Sequence, residues 1–345
     1  MLKEWMALIR RAGLQTSNLV FMLIPSAVSL LACFLSKTIT AKITLICLAL
    51  ILASIVFCHV MGRVFVNLSI ASKTDKSEVF LRNQEVPNLD DKILFDEREE
   101  EFFITSSVDK NKIYYYLREN TNVKSNNYIM LLHGFSGSHK SINYFSKLFY
   151  DLGYNIITMD LRGHGKSKAN YIGMGILDSK DLLDVLKDFT EKNKECNIAL
   201  FGVSMGAATV LTSLNLDLQK QVKCVIEDSG YTSVKDEFKY QLKNIFNLPS
   251  FLVYSGSIIS KIKANYSFLD KSSIDGVMKN TLPLLVIHGK KDKFVPQDMG
   301  IKIYMNSKSK NKECLFLDNA GHVRSIYVDK DTYIYKVKEF LKEYL

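Results

Sequence analysis

Three side chains of this 345-residue chain, Ser204, Asp292 and His322, are of the types and in the order that activate a hydroxyl for attack. Gly202-Val203-Ser204-Met205-Gly206 follows the apolar run Ile198–Phe201 and precedes the helix-forming stretch Ala207–Leu211. A nucleophile on a strand-to-helix turn needs small neighbours, because backbone crowding leaves no room for side chains there, and the turn lifts the hydroxyl out of the sheet. The helix that follows points its N-terminus at the reacting centre, where negative charge develops.

A serine hydroxyl is a weak nucleophile until a base takes its proton, and histidine is the base suited to neutral pH. The chain has six: His59, His133, His139, His164, His288 and His322. His59 falls in an apolar run, and only His288 and His322 follow Ser204 in the order nucleophile, acid, base that accompanies such a turn. His288 closes the run Thr281–Ile287 with no carboxylate before it in the expected place. His322, in Asn319-Ala320-Gly321-His322, lies on a loop past the last apolar run and is the expected base. Asp292, in a turn ahead of the helix start marked by Pro296, is the expected acid. A carboxylate there fixes the imidazole tautomer and stabilises the imidazolium. Asp228 competes for that role because it follows the preceding strand, whereas Asp160 precedes the serine and fits less well. An oxyanion also needs two N–H donors. Met205, following the nucleophile, and Phe135, in Leu132-His133-Gly134-Phe135 after an apolar strand, are the candidates, with His133 bracing the loop.

These residues need a scaffold. Short apolar runs recur at Tyr128–Leu132, Asn155–Met159, Ile198–Val203, Cys224–Glu227, Leu284–Ile287 and Cys314–Leu317, as suits parallel strands buried on both faces. Phe102–Ser106 and Ile113–Arg118 read as an entry hairpin. Helical stretches lie between the runs at Ser141–Leu152, Leu177–Lys192, Ala207–Leu216, Pro296–Asn306 and Thr332–Leu345. The alternation predicts an α/β domain over 101–345, with a mostly parallel sheet and helices on both faces. The interval after Asp228 is too long for one crossover, so 231–280 is expected to hold a small helical insertion, with amphipathic segments Val234–Phe246 and Phe251–Lys263.

The amino-terminal part is of another kind. Leu19–Leu35 and Ile43–Met61 are apolar runs, each near the ~20 residues that span a bilayer as helix. Residues 1–70 are expected to be a membrane anchor of one or two transmembrane helices, and 71–100 a polar tether. A cleaved signal peptide fits less well, because the first run is long and a second follows at once. Of the net charge of +9, more than half lies in residues 1–70, where it sets topology. Lys3, Arg10 and Arg11 on one flank, and Arg63, Lys73 and Lys76 on the other, outnumber Lys37 and Lys42 in the link. That pattern mildly favours a hairpin with the catalytic domain in the cytoplasm; a single span would place it outside. Localisation at the cell membrane is expected either way. No basic stripe interleaved with aromatics suggests nucleic-acid binding. Cys33, Cys47, Cys58, Cys196, Cys224 and Cys314 lack metal or disulfide spacing and read as free thiols.

Together, His133–Ser138 (HGFSGS), Met159–Ser167 (MDLRGHGKS), GVSMGA, HGKKDKFVP and NAGH resemble the α/β-hydrolase superfamily, over about residues 100–345. Within it the chain resembles bacterial serine esterases, monoacylglycerol lipases and serine aminopeptidase-like hydrolases. The resemblance implies a serine hydrolase of the carboxylesterase or lipase kind, cleaving a carboxylic ester through an acyl-enzyme without metal or other cofactor. It implies that 231–280 is a lid and that Arg162–Gly165 is a structural turn in which His164 braces. The N-terminal membrane runs depart from most such proteins. Peptidase action on short peptides uses the same three side chains and is the alternative; a non-enzymatic membrane scaffold is a third reading. The expected partners are a small-molecule ester or short peptide and the lipid bilayer.

Overall fold

The computed structural model describes residues 16–35, 38–73 and 98–345. Lys3, Arg10, Arg11, Lys37 and Lys76, which carry much of the topology argument, and residues 74–97 of the expected tether lie outside them.

Eight strands form one sheet: β1 (Glu100–Thr105), β2 (Lys112–Arg118), β3 (Asn127–Leu132), β4 (Asn155–Met159), β5 (Asn197–Val203), β6 (Val222–Asp228), β7 (Leu284–Gly289) and β8 (Lys312–Leu317). Their order is β1-β2-β4-β3-β5-β6-β7-β8. β2 runs antiparallel to both neighbours, and every pair from β4 onward is parallel. The fold is therefore the mostly parallel sheet that the apolar runs predict. Burial follows position: β4 and β7 are buried at every residue, whereas the edge strands β1 and β8 are partly exposed. Continuous apolar sequence is thus the mark of strands covered on both faces.

The helices that cover the sheet are α3 (Asn143–Asp151), α4 (Asp178–Lys192), α5 (Met205–Ser213), α9 (Gln297–Asn306) and α11 (Lys330–Tyr344). Alternate residues of β3 divide between two cores. Ile129 and Leu131 pack with Phe145 and Phe149 of α3 and Val337 and Phe340 of α11. Tyr128, Met130 and Leu132 pack with Leu182 of α4, Ala208 of α5 and Ile303 of α9. A short α10 (Ser325–Val328) precedes α11.

Between β6 and β7 stand three further helices: α6 (Val234–Asn244), α7 (Leu252–Ala264) and α8 (Ser273–Val277). Ser233 caps α6 by accepting from Asp236 N at 3.0 Å. Buried Phe238, Leu242, Leu252, Val253 and Ile259 join the larger core, so these helices are packed onto the body.

At the amino end, α1 (Thr16–Leu35) packs along α2 (Ile39–Ser69). Among the described residues α2 alone is long and apolar enough to cross a membrane; Ile24–Cys33 of α1 is a shorter apolar stretch. α2 outruns the apolar run from which it is read. Beyond Phe57 it turns one side inward, burying Val60, Met61, Val64 and Val66, and Met61, Val66 and Ile70 belong to the larger of the two cores. The chain stays attached just past it, where Ala71 bridges to Tyr171 and Ser72 N donates to Asn170 O at 3.0 Å.

Candidate active site

Three loops leaving the carboxyl ends of parallel strands bring the expected residues together: Ser204 follows β5, Asp292 follows β7 and His322 follows β8. This edge of an open α/β sheet is where ligands bind. Ser204 sits at φ 53°, ψ −116°, a left-handed conformation rare outside glycine. The turn is held by Ser204 N, which donates to Asp228 O at 2.9 Å. A Cβ at Gly202 would lie 2.3 Å from Gly206 O, and one at Gly206 would lie 2.2 Å from Leu132 O. Both glycines are therefore required by close backbone approach, as the turn's crowding predicts.

His322 Nε2 lies 2.9 Å from Ser204 Oγ, and its Nδ1 lies 2.7 Å from Asp292 Oδ2. A carboxylate only accepts, so Nδ1 carries the proton and Nε2 is left to accept from the serine. The other oxygen of Asp292, Oδ1, accepts from Phe294 N at 2.9 Å and Val295 N at 2.8 Å, which aims Oδ2 at the imidazole. Burial alone would push the Asp292 carboxyl up, but His322 and His288 beside it outweigh that and hold it well below the usual carboxylate range. All three side chains are buried.

The competing acids are engaged elsewhere. Asp228 accepts from Ser229 Oγ at 2.8 Å and from Tyr333 Oη at 3.0 Å. Asp160 accepts from His139 N at 2.8 Å and Lys166 N at 2.8 Å. His133 and His164 brace loops. His133 Nδ1 donates to Gly134 O at 2.7 Å and its Nε2 accepts from Leu161 N at 3.0 Å. Burial, with His164 nearby, pushes His133 down to about 3, so it stays neutral. His164 Nε2 accepts from Ser136 N at 3.1 Å, fixing the loop that carries Phe135. That loop lies against Ser204: a Cβ at Gly134 would be 3.4 Å from Ser204 Cβ.

Three supporting features escape the linear reading. His288 is the partner of a carboxylate after it, Asp292, rather than before it (Nε2 to Oδ2 3.4 Å), and its Nε2 also donates to Val295 O at 2.9 Å. The i, i+4 spacing of His288 and Asp292 was the available signal. Val323, next to His322, adopts φ 54°, a strained value for a β-branched residue, and its N donates to Ser229 Oγ at 3.1 Å. Arg162, fully buried, forks onto Asp181 at 2.9 and 2.7 Å and reaches Ser106 Oγ at 2.9 Å, locking the turn below the site.

The fold has counterparts among known proteins. The family description serine aminopeptidase, S33, matches residues 124–280. An esterase of Pyrococcus furiosus superposes with a TM-score of 0.58 at 24% identity, over 72% of this chain and 93% of that one. An acylaminoacyl peptidase of Pyrococcus horikoshii does so with a TM-score of 0.54 at 17% identity, over 71% of this chain and 41% of that one. In sequence, the uncharacterized protein YqkD of Bacillus subtilis is 28% identical over 218 residues, 62% of this chain and 71% of that protein. The lysophosphatidylserine lipase ABHD12 of Danio rerio is 27% identical over 194 residues, 53% of this chain, which spans 48% of that lipase. The chain has the α/β-hydrolase fold, and the proteins it is similar to are hydrolases of the esterase, lipase and peptidase kind.

Proposed function

We propose that this protein is a membrane-anchored serine hydrolase that cleaves a carboxylic ester through an acyl-enzyme. The observation that carries the reading is the continuous relay Ser204 Oγ, His322, Asp292, with contacts of 2.9 and 2.7 Å. As Ser204 Oγ attacks the carbonyl carbon, its proton passes to His322 Nε2. The imidazolium so formed is stabilised by Asp292, which is already ionised and needs no reorganisation. Electron density moves onto the carbonyl oxygen, for which the N–H groups of Phe135 and Met205 are the donors; losing one such donor costs ~3–4 kcal/mol of transition-state stabilisation. Collapse expels the alkoxide, protonated by His322, and water then attacks the acyl-enzyme with His322 again as base.

The anchor in this reading is α2, whose exposed apolar residues Ile39, Ile43, Ile46, Leu50, Ile51 and Ile55 suit hydrocarbon. The second reading, peptidase action on short peptides, is favoured by the serine aminopeptidase match and uses the same relay. The two are separated by activity on matched ester and aminoacyl-amide substrates with the full chain in detergent. A fluorophosphonate probe should label the wild type and not Ser204→Ala. Labelling that survives this substitution overturns the assignment of the nucleophile.

A further inference from the structure

Helix α7 presents apolar side chains where a water-facing helix keeps polar ones. Phe251, Tyr254, Ile258 and Ile262 recur at helical spacing and are all exposed, Ile258 at 64% and Ile262 at 74%. Leu269, just beyond the helix, is exposed as well. A contiguous exposed apolar stripe marks a surface that meets a partner.

The neighbouring side of α7 identifies the partner, because it packs against α2. A Cβ at Gly62 would fall 2.7 Å from Ser255 O, and one at Gly256 would fall 2.4 Å from the Phe65 ring. Lys263 Nζ donates to Asn67 Oδ1 at 3.3 Å, and Phe65 stacks edge-on against Phe238 of α6 and Phe268. The exposed apolar part of α2, Ile39–Phe57, is about 28 Å long at 1.5 Å per residue, close to the ~30 Å of a hydrocarbon core. Contacts with α7 are made at Gly62, five residues further on, at Phe65 and at Asn67. At the same rise α7 crosses α2 about 7–15 Å beyond the hydrocarbon edge, in the headgroup layer. The flanking chemistry suits that layer. Lys261 and Lys271 are exposed beside the stripe, and Lys239 Nζ donates to Tyr254 Oη at 2.8 Å, an aromatic body with a cationic tip.

We propose that α7 lies in the headgroup layer of the bilayer crossed by α2, with Phe251, Tyr254, Ile258 and Ile262 directed into the lipid and the surrounding lysines on anionic headgroups. The inference rests on the membrane reading of α2. Its consequence is that the insertion beside the active site, tied to the acid loop by Tyr240 Oη donating to Lys293 O at 3.0 Å, meets esters delivered from the membrane.

The chain has a single tryptophan, Trp5, which makes a direct test available. In full-length Trp5→Phe protein reconstituted into phosphatidylglycerol-containing vesicles, single tryptophans are introduced by Ile51→Trp, Ile258→Trp, Ile262→Trp and Tyr335→Trp. Brominated lipids should quench emission from positions 51, 258 and 262 but not from 335, with quenching at 258 and 262 stronger for anionic than for zwitterionic vesicles. Quenching at 51 without quenching at 258 and 262 overturns the proposal, whether those positions prove wet or covered by a second protein. Absence of quenching at 51 instead removes the membrane reading itself. As an activity readout, Ile258→Asp with Ile262→Asp should lower the ratio of long-acyl to water-soluble ester turnover in vesicles about tenfold. An unchanged ratio counts against the proposal.

Discussion

Nε2 of His288 stands 3.4 Å from Oδ2 of Asp292, the same oxygen that His322 Nδ1 meets at 2.7 Å. Asp292 therefore serves two buried imidazoles, and the second of them, His288, belongs to the strand that carries the acid loop. With Val295 O as its second acceptor, His288 ties that loop to β7. Truncation by His288→Leu should let the carboxylate drift. The expected loss is about 100-fold in kcat with little change in KM, since misplacement of a catalytic group by about 1 Å costs that much. His288→Gln, which keeps a donor near Nε2, should recover most of it. Steady-state kinetics of the two variants, with fluorophosphonate labelling rates, check this; a fully active His288→Leu would deny the role.

The turn at Ser204 makes a sterically sharper prediction. Gly206→Ala drives a methyl to 2.2 Å from Leu132 O and 2.7 Å from His133 O, both backbone atoms that cannot step aside. The variant should fail to label with fluorophosphonate, or fail to accumulate folded. Gly134→Ala meets its nearest atom, Ser204 Cβ, at 3.4 Å, an ordinary contact. That variant should fold normally and label more slowly. Circular dichroism beside labelling separates folding from chemistry.

Arg162 is buried against Asp181, which is also buried, and also reaches Ser106 and Asp109. Removing one member of a buried pair strands the other charge, at about 3–5 kcal/mol. Arg162→Met should accordingly lower the thermal midpoint by roughly 10 °C for a domain of this size. Arg162→Lys should recover only part of the loss, because lysine cannot reproduce the two-pronged contact. Thermal scanning at matched protein concentration reads both.

Glu227 supplies a pH signature. Burial pushes its carboxyl up to about 8, while its Oε2 accepts from Gly230 N at 2.8 Å. The folded state therefore binds this proton more tightly than the unfolded chain, where a glutamate titrates near ~4.3. Its stabilising effect is fully present below about pH 4.3 and is lost as pH rises to about 8. Glu227→Gln, uncharged throughout, should not lose stability across that window. The difference in unfolding midpoint, variant minus wild type, should thus grow from pH 5 to pH 8 and then level off. A difference flat with pH would show that Glu227 is already ionised in the folded protein.

Much of the scaffold was legible because its signals are local. A strand covered on both faces is mostly apolar, so β3, β4, β5 and β7 appear as largely apolar runs. Ser204, Asp292 and His322 were legible for a related reason. Each lies in a turn at the end of such a run, and a sheet with parallel strands collects those turns at one edge. The apolar run of the edge strand β8 is two residues shorter than the strand, since Lys312 and Glu313 face partly outward and carry no apolar mark.

Amino-acid order thus settled the sheet, the sequence of turns and the three side chains they carry, since backbone crowding, burial on both faces and chain order act within a few residues. Folding in three dimensions settled what depends on distant partners: that Asp292 is held by His288 as well as His322, that Arg162 meets Asp181 and Ser106, and that α2 continues past its apolar run to pack on α7. Those contacts join segments up to about 200 residues apart, such as Asn67 and Lys263. A side chain's type restricts which partners it can satisfy, but only packing decides which of them arrives.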